Sequence, residues 1–126
     1  MRFVPYEYQR YCTEYIKTHP IAALFLDMGL GKTVITLSAI KDLMLETFEV
    51  SKVLIIAPLR VARDTWPAEI EKWDHLKGLD ISVIVGDVKT RIAAVHHPAM
   101  IYIVNRENIR CWWSITRKME CDGILA

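Results

Sequence analysis

The stretch Asp27-Met28-Gly29-Leu30-Gly31-Lys32-Thr33 joins an apolar run, Ile21 to Leu26, to a segment of helical period. Glycines at alternate positions let backbone N–H groups turn toward one point, and the helix that follows presents the positive end of its dipole there. The combination reads as a phosphate-binding loop between a strand and a helix. Lys32 would reach the β/γ-phosphates of a nucleoside triphosphate and the Thr33 hydroxyl would take Mg²⁺. The strict spacing G-x-x-x-x-G-K-[ST] asks for glycine at position 26, where this chain has Leu26, so the match is to the shorter core G-x-G-K-[ST]. A glycine-rich turn that merely opens a solvated helix is the plainer reading of the same residues.

Outward from the loop, apolar runs of strand length alternate with helical segments. Tyr8, Tyr11, Cys12, Tyr15 and Ile16 fall at the spacing of an amphipathic helix that Pro20 stops. Ala22 to Leu26 reads as a buried strand, and the helix after the loop runs from about Thr33 to Glu46, with Val34, Leu37, Ile40 and Met44 on one face. The alternation then repeats. Lys52 to Ala57 is a β-branched strand, and Asp64 is placed to cap a helix carrying Trp66, Ile70 and Trp73, with Pro67 in its first turn. Ile81 to Val85 is a third strand, Val88 to Val95 a helix ending before Pro98, and Met100 to Val104 a fourth strand. Ile109 to Lys118 reads as helix and Gly123 to Leu125 as the start of a fifth strand.

Continuous apolar strands separated by helices predict an α/β fold, a parallel sheet covered on both faces with right-handed crossovers. Ligands collect at the carboxyl ends of such strands, so the loops after Leu26, Ala57, Val85 and Val104 are expected to share one working edge.

Composition bounds the rest. The 126 residues are 52% hydrophobic and 25% charged with a net charge of +1, which fits one globular domain and neither demands nor excludes a polyanion partner. Uncharged runs fall well short of the roughly 20 residues of a membrane span, and Glu7 interrupts anything like a signal peptide, so a cytoplasmic location is expected. Cys12, Cys111 and Cys121 lack metal-binding spacing and read as reduced, mostly packing thiols. His96-His97 look like a helix end, Lys41-Asp42 and Glu69, Glu71 and Lys72 like exposed helix charge, and Trp66 and Trp73 like core. Trp112-Trp113, if helical, turn at least one ring toward solvent or a partner.

With these residues in place the chain resembles the helicase-like ATPases of superfamily two, in the Swi/Snf-type branch, and especially the short versions carried by bacteriophages and prophages. The resemblance rests on Pro5-Tyr6-Glu7-Tyr8-Gln9, Leu26 to Thr33, Leu54 to Val61 through Trp66 to Trp73, and Ile101 to Asn108, in the family's order. It implies a RecA-like three-layer α/β/α sandwich with a mainly parallel sheet, incomplete at its C-terminus, so that residues 1–126 would be the N-terminal part of the first RecA-like domain. It implies ATP and Mg²⁺ as ligands, with Asp27, Met28, Gly29, Leu30, Gly31, Lys32 and Thr33 around the phosphates and metal.

Gln9 matches the family's adenine-recognising glutamine, whose carboxamide suits the N6 and N7 edge of the base. Tyr6 and Tyr8 are close enough in sequence to stack on a base, but Tyr8 belongs to the apolar stripe and is expected in the core. Pro58, Leu59 and Arg60, and later Asn105 and Arg106, fall where the family grips a nucleic-acid backbone, with double-stranded DNA the implied partner. As isolated residues they read equally well as solvated arginines and an ordinary turn.

The family's next element ends in an Asp-Glu pair, and the chain reaches Ala126 before any such pair. A second RecA-like domain and its arginine are likewise missing from the sequence. The resemblance therefore implies nucleotide binding with little hydrolysis by these residues alone. A non-hydrolysing, helicase-derived protein that binds nucleotide, DNA or a host partner is the alternative. A small-molecule P-loop kinase fits less well, because Leu26 stands where its first glycine belongs.

Overall fold

The computed structural model describes Met1–Asp27 and Gly29–Ile109. The expected helix over Ile109 to Lys118 past its first residue, the fifth strand, Cys111, Cys121 and the Trp112-Trp113 pair lie outside the described residues, as does Met28. The chain forms two compact units, one of Met1–Glu49 with Glu69–Gly78, the other of Val50–Ala68 with the chain from Leu79 on.

In the first unit, helix α1 (Glu7–Thr18) is followed by α2 (Lys32–Lys41), which runs on through a wider π-helical turn, Asp42–Glu46. The α2 residues Val34, Ile35, Leu37, Ala39 and Ile40 are all buried, so this helix is apolar around most of its circumference, as a central helix must be. The expected face of Val34, Leu37, Ile40 and Met44 is thus buried, and more besides. Lys41 and Asp42 are half-buried and not the exposed charge expected of them, because Asp42 pairs with Lys17 of α1 at 3.3 Å. A 3₁₀ turn, Asp74–Leu76, packs on α2, where His75 Nε2 meets the buried Ser38 hydroxyl at 2.8 Å.

Two expectations fail here. Ala22 to Leu26 is not a strand: Ile21 is 93% and Phe25 95% exposed, and no described strand lies beside the segment. A strand needs a neighbour for its N–H and C=O groups, and an apolar run announces burial without naming that neighbour. Tyr8 is not core either. It is 37% exposed, because α1 buries only Gln9 and Cys12 fully and the hydroxyl of Tyr8 is committed to a hydrogen bond described below.

The second unit is built on a parallel sheet of three strands, β1 (Val53–Ala57), β2 (Ile81–Ile84) and β3 (Ile101–Asn105), in the order β1-β3-β2. Val53 sits beside Ile101 and Ala57 beside Asn105, while Ile81 and Ile84 pair with Ile101 and Val104. One face carries Leu54, Tyr102, Val104 and Ile84, which pack with Val95 of helix α4 (Val88–His96). Fully burying side chains of this size contributes roughly 1.5–3 kcal/mol each. Ser82 on the same face is tolerated because its hydroxyl donates to the Ala94 carbonyl at 2.6 Å. The other face, with Val53, Ile55, Ile101 and Ile103, is also buried, so both faces are covered as the continuous apolar runs required.

The helical stretch after β1 begins earlier than expected. Ala62 already donates to the Pro58 carbonyl, and a π-helical turn, Val61–Thr65, leads into α3 (Trp66–Lys72). Asp64 therefore lies inside the helix and pairs with Arg63 at 3.0 Å instead of capping it. The wide turn has a cause in Pro67, which lacks an N–H and whose ring would press on the carbonyl four residues back. Trp66 and Trp73 are only half-buried; Trp73 donates its indole N–H to Glu69, another charge expected to be free. His96 closes α4 and His97 follows it, as the sequence suggested, while Asp87 opens α4 by accepting from the Thr90 N–H at 2.8 Å.

Candidate functional site

The glycine-rich segment Gly29–Thr33, the candidate phosphate loop, leads into α2 in the first unit. Gly29 and Gly31 both hold φ +82°, a left-handed conformation that an L side chain rarely adopts, and Gly31 is the N-cap of α2. The first helical bond runs from Ile35 N–H to the Gly31 carbonyl at 3.0 Å. Backbone N–H groups at the start of α2 are accordingly left without helical partners, which is the basis of an anion site. Lys32 is exposed and its ammonium donates to the Leu26 carbonyl at 2.8 Å, fastening the loop across its own mouth. Thr33 is half-buried on the first turn of α2, and Asp27, Gly29 and Leu30 are exposed.

Gln9 and Tyr8 reach this loop from the first turn of α1. Gln9 is 7% exposed; its Oε1 accepts from the Tyr6 backbone N–H at 2.9 Å and its Nε2 donates to the Leu30 carbonyl at 3.3 Å. One lone pair and one N–H of the carboxamide are left over, the complement that an adenine edge asks for. The Tyr8 hydroxyl donates to the same Leu30 carbonyl at 2.9 Å, and the Tyr8 ring lies parallel to Tyr6 with centroids 6.0 Å apart. The approach is close enough to need glycine: a Cβ on Gly31 would stand 2.7 Å from Gln9 Nε2 and 3.2 Å from Val34 Cγ1.

In the second unit, the pairing of Ala57 with Asn105 brings Pro58–Arg60 and Asn105–Arg106 to one carboxyl edge of the sheet. Pro58, Leu59, Arg60 and Arg106 are exposed there. Asn105 is not: it is 5% exposed, its Nδ2 donates to Glu107 at 2.8 Å, and its Oδ1 is buried without a partner among the described residues. Asn108 accepts from the Arg91 guanidinium, which ties the 3₁₀ turn Arg106–Asn108 to α4. Exposed Arg63 is occupied by Asp64, whose carboxyl is held below its ordinary range first by the hydrogen bond from Arg63.

The sequence placed both segments at a sheet edge but missed that Asn105 turns inward. It missed the tyrosine bond to the loop too, for which a stripe of helical period carries no signal. The Asp87 cap was missed as well, although an aspartate just ahead of a helical segment is a signal that could have found it. Among the described residues no cluster of His, Cys, Asp and Glu is placed to hold a metal, and no helix is long and apolar enough to cross a membrane.

A parallel sheet flanked by helices is the α/β architecture the resemblance implied. The SNF2-related domain matches residues 10–123. The chain belongs to the SNF2-related domain family. A relative within reach of this SNF2-related chain is protein p41 of Acyrthosiphon pisum secondary endosymbiont phage 1, 38% identical over 108 residues, which are 85% of this chain and 24% of that protein. The chain therefore spans about a quarter of the length of the curated relative it matches. The Swi/Snf-type, helicase-like assignment and the phage association both stand on these matches, and the described structure is α/β with a parallel sheet, in keeping with part of a RecA-like fold.

Proposed function

We propose that this SNF2-related chain is the ATP-binding portion of a DNA-dependent, Swi/Snf-like translocase ATPase, with residues 1–126 forming the N-terminal part of its first RecA-like domain. One observation carries the nucleotide assignment: two left-handed glycines immediately ahead of a buried helix, with an exposed lysine at that helix's first position. The backbone N–H groups of Gly29, Gly31 and Lys32 would hold the phosphates, the Lys32 ammonium would exchange the Leu26 carbonyl for phosphate oxygen, and Thr33 would take Mg²⁺. Asp27, Met28 and Leu30 complete the loop. The residues fit the group, since the loop is open to solvent and the N–H groups at the start of α2 have no helical acceptors. Mg²⁺ when bound offsets the charge of the phosphates. Gln9, with one donor and one acceptor unused, would take the adenine edge and favour ATP over GTP.

At the sheet edge, Arg60 and Arg106 would supply charge to a duplex backbone, with Pro58 and Leu59 shaping the approach and the buried Asn105 acting through the loop it holds. Charge without base readout suits an enzyme that moves along DNA of any sequence.

Titration calorimetry with Mg²⁺-ATP tests the nucleotide reading. Lys32→Ala should weaken binding by about tenfold or more, the worth of a charge-assisted contact, while the unfolding midpoint stays close to that of the parent. Equal affinity in the two proteins would defeat the assignment.

A further inference from the structure

We infer that Tyr8 is a positioning residue for the phosphate loop, acting with Gln9 on the Leu30 carbonyl to keep the loop set for a polyphosphate whatever base it carries. The inference rests on the nucleotide reading above and adds a role that the loop motif does not contain.

The Leu30 carbonyl belongs to the peptide unit that joins Leu30 to Gly31. A trans peptide is planar, with its C=O and N–H pointing in opposite directions, so fixing the carbonyl fixes the N–H. The unit turns about ψ of Leu30 and φ of Gly31; Gly31 holds φ +82°, and glycine crosses between positive and negative φ at little cost. With glycine on its C-terminal side this peptide has little of its own to resist a flip, which would turn a carbonyl dipole to where the Gly31 N–H had been. An anion site would then meet an acceptor in place of a donor.

Two donors oppose that flip. Tyr8 Oη lies 2.9 Å and Gln9 Nε2 3.3 Å from the Leu30 carbonyl oxygen. By distance the tyrosine makes the better bond of the two. Both donors are themselves held. Gln9 is buried and bonded through its other carboxamide atom to the Tyr6 N–H, and Tyr8 sits in the first turn of α1 against the Tyr6 ring. Lys32 closes the opposite end of the loop on Leu26, but it is the residue proposed to leave for phosphate, whereas Tyr8 and Gln9 approach from α1 and can stay. The half-exposed position of Tyr8, which its place in an apolar stripe did not foretell, is explained by this second duty.

Tyr8→Phe removes the hydroxyl and keeps the ring. Calorimetric titration of the parent and Tyr8→Phe with Mg²⁺-ATP, Mg²⁺-GTP and Mg²⁺-tripolyphosphate, which has no base, separates positioning from base contact. We expect the variant to lose about three- to tenfold in affinity for each of the three, by a common factor, the range of one lost hydrogen bond. Gln9→Glu, which puts an acceptor against the same carbonyl, should lower tripolyphosphate affinity further. Unchanged affinity for all three ligands in Tyr8→Phe would overturn the inference and leave the nucleotide reading intact. So would a loss confined to ATP, which would place the hydroxyl at the base. A merely structural role would lower the unfolding midpoint without moving the three affinities together, and that result also counts against the proposal. Failure of the parent to bind any of the three would remove the nucleotide reading itself and the inference with it.

Discussion

Replacing Gly31 by alanine is expected to destabilise the protein well beyond the same replacement at Gly29, although both glycines share φ +82°. An L residue held in the left-handed region costs roughly 1–2 kcal/mol, and alanine returns about 0.4–1 kcal/mol by narrowing the unfolded ensemble. At Gly29, where an added Cβ meets nothing within 4 Å, the sum should be a loss of about 0–1.6 kcal/mol. At Gly31 the Cβ would lie 2.7 Å from Gln9 Nε2. A solvated glutamine would step aside, but Gln9 is buried and bonded at both ends of its carboxamide, and Val34 on the other side is packed in α2. Retreat of the carboxamide would sacrifice its bonds to Leu30 and Tyr6, each worth about 0.5–1.5 kcal/mol, so Gly31→Ala should exceed Gly29→Ala by roughly 1–3 kcal/mol. Urea unfolding followed by circular dichroism measures both at equal m-value. The same pair of variants in a Gln9→Ala background should draw closer, because the 2.7 Å obstruction is gone and only the 3.2 Å approach of Val34 Cγ1 is left. Equal losses for the two glycines in the parent, or a gap undiminished by removal of Gln9, would refute the reasoning.

Two further outcomes follow from groups away from the loop. The pKa of His75 is lowered from its ordinary value near 6.5, first by burial and then by Lys41, with Asp42 and Asp74 opposing. Below pH 6.5 the unfolded chain therefore takes up a proton that the folded one resists, so this contribution to stability is complete above 6.5 and drains away as the pH falls toward the lowered value. His75→Gln should flatten the stability profile as the pH falls below 6.5, and an unchanged slope in urea unfolding would contradict it. Phe48 is 79% exposed at φ +56°, so Phe48→Gly should stabilise by about 1 kcal/mol through relief of left-handed strain, and a lower melting temperature would show that the ring has packing worth more.

Much of the site could be read from residues in a row. The loop Gly29-Leu30-Gly31-Lys32-Thr33, the helix that follows it, the strands at Val53, Ile81 and Ile101 and the end of α4 at His96 all express local rules: glycine's access to positive φ, helical spacing, β-branched runs, helix ends. The α3 region was harder, since Pro67 suits the first turn of a helix and the actual start lies at a loop proline, Pro58, with a π-helical turn absorbing the conflict between them.

Local pattern alone was enough to give an α/β alternation and a family, and to propose a phosphate loop, because each depends on residues within a few positions of one another. Which groups face that loop depended on the chain coming back on itself. Tyr8 and Gln9 meet Leu30 across separations of 22 and 21 residues, and Ser38 meets His75 across 37. The same holds for the apolar run Ile21 to Leu26, whose composition asked for a strand while its neighbours supplied no ladder. Periodicity records how a side chain is oriented on its own element; the partner it finds there is set by long-range packing and hydrogen bonding, which no local window contains.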